Sequence, residues 1–133
     1  MTPESVNSHI GRVPFFRFLA ISVLTIDEMH AEAEMAFSPR VIGNPQKEYY
    51  HGGIIASFME AMAAIVVKPE FDPLPAKPIN LTVDYLRPAM KGPLKGRATV
   101  TRKGKRMASV WTVSWQESET QPVAEGLYHF LLV

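Results

Sequence analysis

The chain has 133 residues, 47% hydrophobic and 20% charged, with 14 basic against 13 acidic side chains and a net charge of +1, the make-up of one globular domain over 1–133. So even a balance excludes binding of nucleic acid by bulk charge, and any phosphate recognition has to be local. The absence of cysteine excludes disulfide frameworks, zinc–thiolate sites, iron–sulfur clusters and thiol nucleophiles.

Thr2-Pro3-Glu4 combines a cap, a proline at the first helical position and an acid, which predicts a short N-terminal helix ending near Gly11. Phe15 to Ile26 is rich in β-branched and aromatic residues and reads as a strand, with Asp27-Glu28 as the turn after it. From Met29 to Phe37 apolar residues alternate with His30, Glu32 and Glu34, which predicts a strand with one wet face. Ser38 to Tyr50 carries Pro39, Gly43, Asn44 and Pro45 and reads as a loop. His51 to Lys68 predicts the one long helix; it is apolar on most sides (Ile55, Phe58, Met59, Met62, Ile65, Val66) and therefore buried. Pro69 stops it, and a loop with Pro73, Pro75 and Pro78 follows. Four strands complete the chain: Ile79–Tyr85, Leu94–Arg102, Arg106–Glu117 with Trp111, Val113 and Trp115 on one face, and Val123–Leu132, with a tight turn at Gly104. The expected architecture is α+β, an antiparallel sheet wrapped around one central helix. No apolar run has the length of a membrane span and Met1–Gly11 lacks a signal-peptide pattern, so the expectation is a soluble cytoplasmic protein with no membrane partner.

Glu60 is the most informative residue. It sits mid-helix among apolar neighbours, and a buried carboxylate is costly unless paired or protonated. Its helical neighbours Ala56, Ser57, Ala63 and Ala64 are small, leaving room for a ligand or for close packing. Position alone leaves two readings: a site residue, or a carboxylate satisfied by a backbone group or a lysine. His51-Gly52-Gly53 opens the same helix. Glycines there allow close backbone approach, and free N–H groups at a helix start suit an anion or a polarised carbonyl oxygen; the plain alternative is a flexible cap. His51 and Glu60 lie nine residues apart, about 13 Å along the axis and on opposite faces. They cannot meet one small group within one chain, so a shared site needs two chains related by a two-fold axis. Arg102, Lys103, Lys105 and Arg106 flank Gly104 and either hold phosphates or solvate a turn; Arg87 is a second candidate. This basic stretch is too short and too poor in aromatics for a nucleic-acid surface. His9, His30, His51 and His129 are scattered and show no metal-ligand spacing. Trp111 and Trp115 read as packing residues or pocket wall, and Phe58, Met59 and Met62 as core or acyl-pocket lining.

Gly43-Asn44-Pro45, His51-Gly52-Gly53, Glu60, Tyr85-Leu86-Arg87-Pro88-Ala89 and the basic turn at Gly104 together resemble the hotdog-fold acyl-CoA thioesterases, most closely the phenylacetate-degradation (PaaI-like) type, over about Phe15 to Phe130. The resemblance implies a curled sheet around one helix, a homodimer or dimer of dimers, and a site at the subunit interface. It further implies that the Gly52 amide polarises a thioester carbonyl, with His51 shaping the site. Glu60 of the other subunit is then nucleophile or general base, and Asn44 positions water or substrate. Gly53, Asn80, Arg87, Arg102, Lys103, Lys105 and Arg106 are the implied substrate and coenzyme contacts. No cofactor or metal is implied beyond the coenzyme A of the substrate itself. Two positions depart from the family: Pro45 stands six before His51 where Asn or Gln is usual, and Pro78 stands where some members carry Ser or Thr. The competing readings are a non-catalytic acyl-CoA-binding protein and a hotdog hydratase or dehydratase, whose His-Phe-Pro-Gly type signature is missing here.

Overall fold

The computed structural model describes residues 1–71 and 75–132. Pro73 of the expected proline-rich loop lies outside the described residues. The N-terminal helix α1 spans Pro3–Ile10. The Thr2 hydroxyl accepts the Ser5 N–H at 3.1 Å and the Ser5 hydroxyl accepts the Thr2 N–H at 3.2 Å, so two orphan donors are satisfied reciprocally. The strand expected over Phe15–Ile26 is half helix: α2 occupies Pro14–Leu19 and β1 only Ile21–Ile26. Pro14 starts α2, Phe16 and Leu19 are buried three residues apart, and Ala20 ends it with φ of 55°. Packing of that face overrides the strand propensity of the phenylalanines.

The remaining elements are β2 (His30–Met35), a turn of 3-10 helix (Pro39–Val41), the short pair β3 (Ile42–Asn44) and β4 (Tyr49–Tyr50), the helix α3 (Gly52–Val67), then β5 (Lys77–Tyr85), β6 (Leu94–Lys103), β7 (Met107–Trp115) and β8 (Ala124–Leu131). The six long strands form one antiparallel sheet in the order β1-β2-β6-β7-β8-β5. Pro78, expected in a loop, lies inside β5 opposite Phe130; β5 is an edge strand, where a residue without an N–H is tolerated.

α3 packs across the sheet, touching β2, β5, β6, β7 and β8. Its bulky residues Phe58, Met59, Met62 and Ile65 are fully buried. The sheet answers with small ones: Ala31 and Ala33 on β2, Gly96 and Ala98 on β6, Ala108 on β7, Ala124 and Gly126 on β8. Apart from Gly96 and Gly126, classed with them by the alternation of the strands, all are at most 1% exposed. The alternation on β7 is the reverse of the expected packing face. Val110, Thr112 and Ser114 point at the helix and Trp111, Val113 and Trp115 point away, because Ser114 pairs with Gly96 and Ala124 in the layer where the helix comes closest. On the outer face Arg97 bonds Glu32 and Glu119 at 2.8 Å each and lies over the Trp115 ring at 5.6 Å. Among the described residues no helix is long and apolar enough to cross a membrane.

Gly96 measures how close that approach is. A Cβ there would stand 2.8 Å from Met62 Sδ and 3.0 Å from Phe58 Cε2. Gly96→Ala is expected to cost about 1–3 kcal/mol by overpacking, read as a lower urea midpoint at unchanged slope.

Candidate active site

The start of α3 is built by residues from three segments. His51 is the N-cap, with extended backbone, and its ring Nδ1 accepts the Gly53 N–H at 2.8 Å. A bare Nδ1 places the proton of the neutral ring on Nε2. The His51 N–H donates to the Val41 carbonyl at 2.7 Å, and the Ile54 and Ile55 N–H groups both turn to the His51 carbonyl, at 3.0 and 3.2 Å. Gly43 is pressed against the same residue: a Cβ on it would lie 2.6 Å from His51 Cα. Among the described residues this leaves the Gly52 N–H as the first-turn donor without a partner. Gly52 opens on a hollow of about 370 Å³ lined by Tyr50, Ile55, Tyr85, Leu86, Arg87 and Pro88 among others. The Tyr85 hydroxyl donates to the Gly52 carbonyl at 2.8 Å, and one turn on the Tyr128 hydroxyl donates to the Ala56 carbonyl at 2.7 Å.

Glu60 is half-buried on α3, eight residues beyond Gly52. Burial pushes its carboxyl above the ordinary value of 4.5, with no hydrogen bond or counter-charge from the described residues acting on it. The Tyr128 hydroxyl is held neutral by burial first and then by the nearby Glu60 carboxylate. Eight residues of helix put Glu60 about 12 Å from Gly52 along the axis, so one chain does not bring the two together. Beside this side of α3 the inner face of β5 is open, with Ile79, Leu81 and Tyr85 exposed.

The other candidates scatter. Asn44 is exposed at the end of β3, and its Oδ1 accepts the Gln46 and Lys47 N–H groups at 3.1 Å each, the closed turn expected of an Asn-Pro sequence. The Gly53 N–H is already engaged by His51. Asn80 lies on the outer face of the sheet, paired with His129 and bonded to its Nδ1 at 2.7 Å, on the side away from α3. Arg87 lines the Gly52 hollow and also a groove of about 550 Å³ that it shares with Lys91, Lys95 and Gln116. Arg102, Lys103, Lys105 and Arg106 sit on or beside the β6–β7 turn at the other end of α3, where the Lys103 ammonium donates to the Val67 carbonyl at 3.4 Å. Gly43 and Tyr85 gain their importance only in three dimensions. The sequence signal available for Tyr85 was its place at the end of an apolar strand face, just before Arg87-Pro88.

The family model described as acyl-CoA thioesterase N-terminal domain matches residues 43–131. The X-ray structure of a thioesterase-superfamily protein superposes with a TM-score of 0.89 at 27% identity, covering 98% of each chain. A phenylacetic acid degradation-related protein from Ralstonia eutropha gives 0.81 at 22% identity over 93% of this chain and 99% of that one. Phenylacetic acid degradation protein PaaI from Thermus thermophilus gives 0.78 at 20% identity, over 91% and 100% respectively. The last two speak to the fold, which is the hotdog arrangement of sheet and helix. No curated protein matches the chain by sequence.

The cap at His51 sets a measurable quantity. His51→Ala is expected to lower stability by about 1 kcal/mol while His51→Asn, a better cap, retains it. On a chain of this size that is a difference of roughly 3–5 °C in a thermal melt.

Proposed function

We propose that this chain, which belongs to the acyl-CoA thioesterase N-terminal domain family, hydrolyses acyl-CoA thioesters to a free acid and coenzyme A in a site shared by two copies. The observation that carries the reading is the Gly52 N–H, without a partner among the described residues, at the positive end of a buried helix whose first residue lines a hollow, with a desolvated carboxylate on the same helix. The thioester carbonyl accepts the Gly52 N–H. Hydroxide delivered from water forms the new C–O bond, the oxyanion grows against that donor, and collapse breaks the C–S bond. One such donor in a site closed to water is worth roughly 3 kcal/mol. Glu60 of the second copy takes the proton from water and returns it to the departing thiolate, or attacks the carbonyl itself, expelling the thiolate and leaving a mixed anhydride that water then hydrolyses. Single turnover in ¹⁸O-water tests for the second path, since only attack by Glu60 can put label into its carboxylate.

The helix supports a two-fold arrangement. Ala56 lies midway between Gly52 and Glu60, and Ala56 and Ser57 are small enough for two helices to come close. An axis near Ala56 with antiparallel helices sets the partner subunit's Glu60 beside Gly52 and covers the exposed Ile79 and Leu81 of β5. It also carries the partner's β6–β7 turn, remote from Gly52 within one chain, toward this chain's helix start. Arg102, Lys103, Lys105 and Arg106 of one copy and Arg87 of the other then flank one site, a charge pattern suited to the phosphates of coenzyme A. In this reading His51 shapes the site through its cap, and Asn44 acts from the neighbouring turn.

The test is hydrolysis of an acyl-CoA panel, reading released thiol. The chain has no cysteine, so it contributes no thiol background. Glu60→Ala is expected to lower turnover by about 10²–10⁴; unchanged turnover sinks the role of Glu60. No turnover by the unaltered chain on any thioester, with binding retained, returns the acyl-CoA-binding alternative.

Only ionised Glu60 acts as base or nucleophile, so the acidic limb of kcat/KM is expected above 4.5, the ordinary glutamate value, and to vanish in Glu60→Gln. The sign for stability is opposite. A carboxyl raised by folding favours the fold fully at low pH and loses that contribution as pH rises through the folded value. The unaltered chain therefore loses stability relative to Glu60→Gln across that range.

A shared site makes complementation possible. Gly52→Pro removes the N–H at a helix position that accepts proline, after a residue whose ψ of 133° suits one, and adds a ring whose Cβ would press on Tyr85 at 3.3 Å. Random reassembly of the inactive Gly52→Pro and Glu60→Ala chains is expected to restore about a quarter of normal activity, since half the dimers carry one intact site of two. An absence of recovery overturns the shared site.

A further inference from the structure

We propose that Tyr85 is a positioning residue for the reaction. Its hydroxyl locks the Gly52–Gly53 peptide, so that the Gly52 N–H beside the hollow keeps one orientation before substrate arrives. The inference rests on the reading of Gly52 as the donor to the thioester carbonyl.

Two adjacent glycines are the most freely rotating pair a chain can offer, and a donor on freely rotating backbone is a poor oxyanion site because it must be ordered during the reaction. Here the pair is held. The Gly52–Gly53 peptide is gripped at both ends: its carbonyl accepts the Tyr85 hydroxyl at 2.8 Å and its N–H donates to His51 Nδ1 at 2.8 Å. The next carbonyl, of Gly53, accepts the Ser57 hydroxyl at 2.7 Å. The peptide on the other side of Gly52 is fixed through the His51 carbonyl, which takes the Ile54 and Ile55 N–H groups. With both flanking planes held, the two torsions of Gly52 have no freedom left, and its N–H is the one group of the set still open.

The Tyr85 ring also lies directly on the glycine. A Cβ added to Gly52 would stand 3.3 Å from both Cε1 and Cζ. The residue is delivered by the last position of β5, and the chain beyond it is tied down by Leu86 and Arg87, whose N–H groups both donate to the Val123 carbonyl, at 2.8 and 3.3 Å. Tyr85 is 54% exposed, so core packing does not account for an aromatic ring at this position. Its one strong directional contact is with the Gly52 carbonyl.

Tyr85→Phe removes a single oxygen and keeps the ring on the glycine. Two readouts are taken: steady-state kinetics on an acyl-CoA that the unaltered chain hydrolyses, and amide hydrogen exchange at Gly53. The expected result is a kcat about tenfold lower with KM within about twofold, and Gly53 exchange about tenfold faster while amides at the centre of α3 are unchanged. A kcat equal to that of the unaltered chain overturns the inference and leaves the hydrolase reading standing. A loss of activity carried by KM, with Gly53 exchange unchanged, also overturns it, by making Tyr85 a substrate contact. An unaltered chain that cleaves no thioester overturns the function and the positioning role together, a result distinct from either of the others.

Discussion

The close seating of α3 on a floor of glycine and alanine is the constraint from which the rest of the structure follows. Phe58, Met59, Met62 and Ile65 are too apolar to be left in water, each worth about 1.5–3 kcal/mol when fully buried, and they are long. Interdigitation at crystal-like density therefore requires the opposing strands to be nearly bare. Gly96 lies under Met62 and Phe58, and Gly126 lies where a Cβ would meet Tyr128 and the Thr82 carbonyl. The same closeness expels Trp111 and Trp115 to the outer face and lets the Tyr128 hydroxyl reach the helix backbone at Ala56.

A helix held this way has two chemically different ends and one uncovered side. At its start, the partial positive charge of unsatisfied N–H groups is narrowed, among the described residues, to a single open donor, because His51 takes one amide and supplies the acceptor for two more. At its end, Lys103 meets the Val67 carbonyl, the complementary charge for that pole. Along the uncovered side lie Ala56, Ser57 and Glu60, next to the exposed apolar face of the edge strand β5. Polarity of the ends, small residues between them and an exposed apolar edge strand suit the antiparallel, two-fold assembly proposed above.

Much of this fold was legible. Alternation gave β2 and β5–β8 to within two residues, and the proline and cap at Thr2-Pro3 gave α1 its start. The length and all-round apolarity of 51–68 gave α3 and its burial. Misreadings came where two signals compete. Pro14-Phe15-Phe16-Arg17-Phe18-Leu19 has strand-forming residues and a helix-starting proline, and the buried pair Phe16 and Leu19 decides for helix. In the site, the separation of Gly52 from Glu60 was readable because helical rise per residue is fixed whatever surrounds it.

What the sequence determined by itself was periodicity: which residues share a face, how long each element runs, and how far apart two positions on one helix must stand. What only tertiary structure decided was which face looks at what. Asn80 lies on a face assigned by register with β8, far away in sequence, Trp111 on one assigned by register with β6 and β8 on either side, and a register shift of one residue would have turned each to the helix. The placement of Arg102, Lys103, Lys105 and Arg106 at the far end of α3, the contact of Gly43 with His51, and the Tyr85 bond to Gly52 are likewise encounters between segments. Their partners are fixed by the packing of the whole sheet on one helix, and that packing is a sum over residues which no local pattern contains.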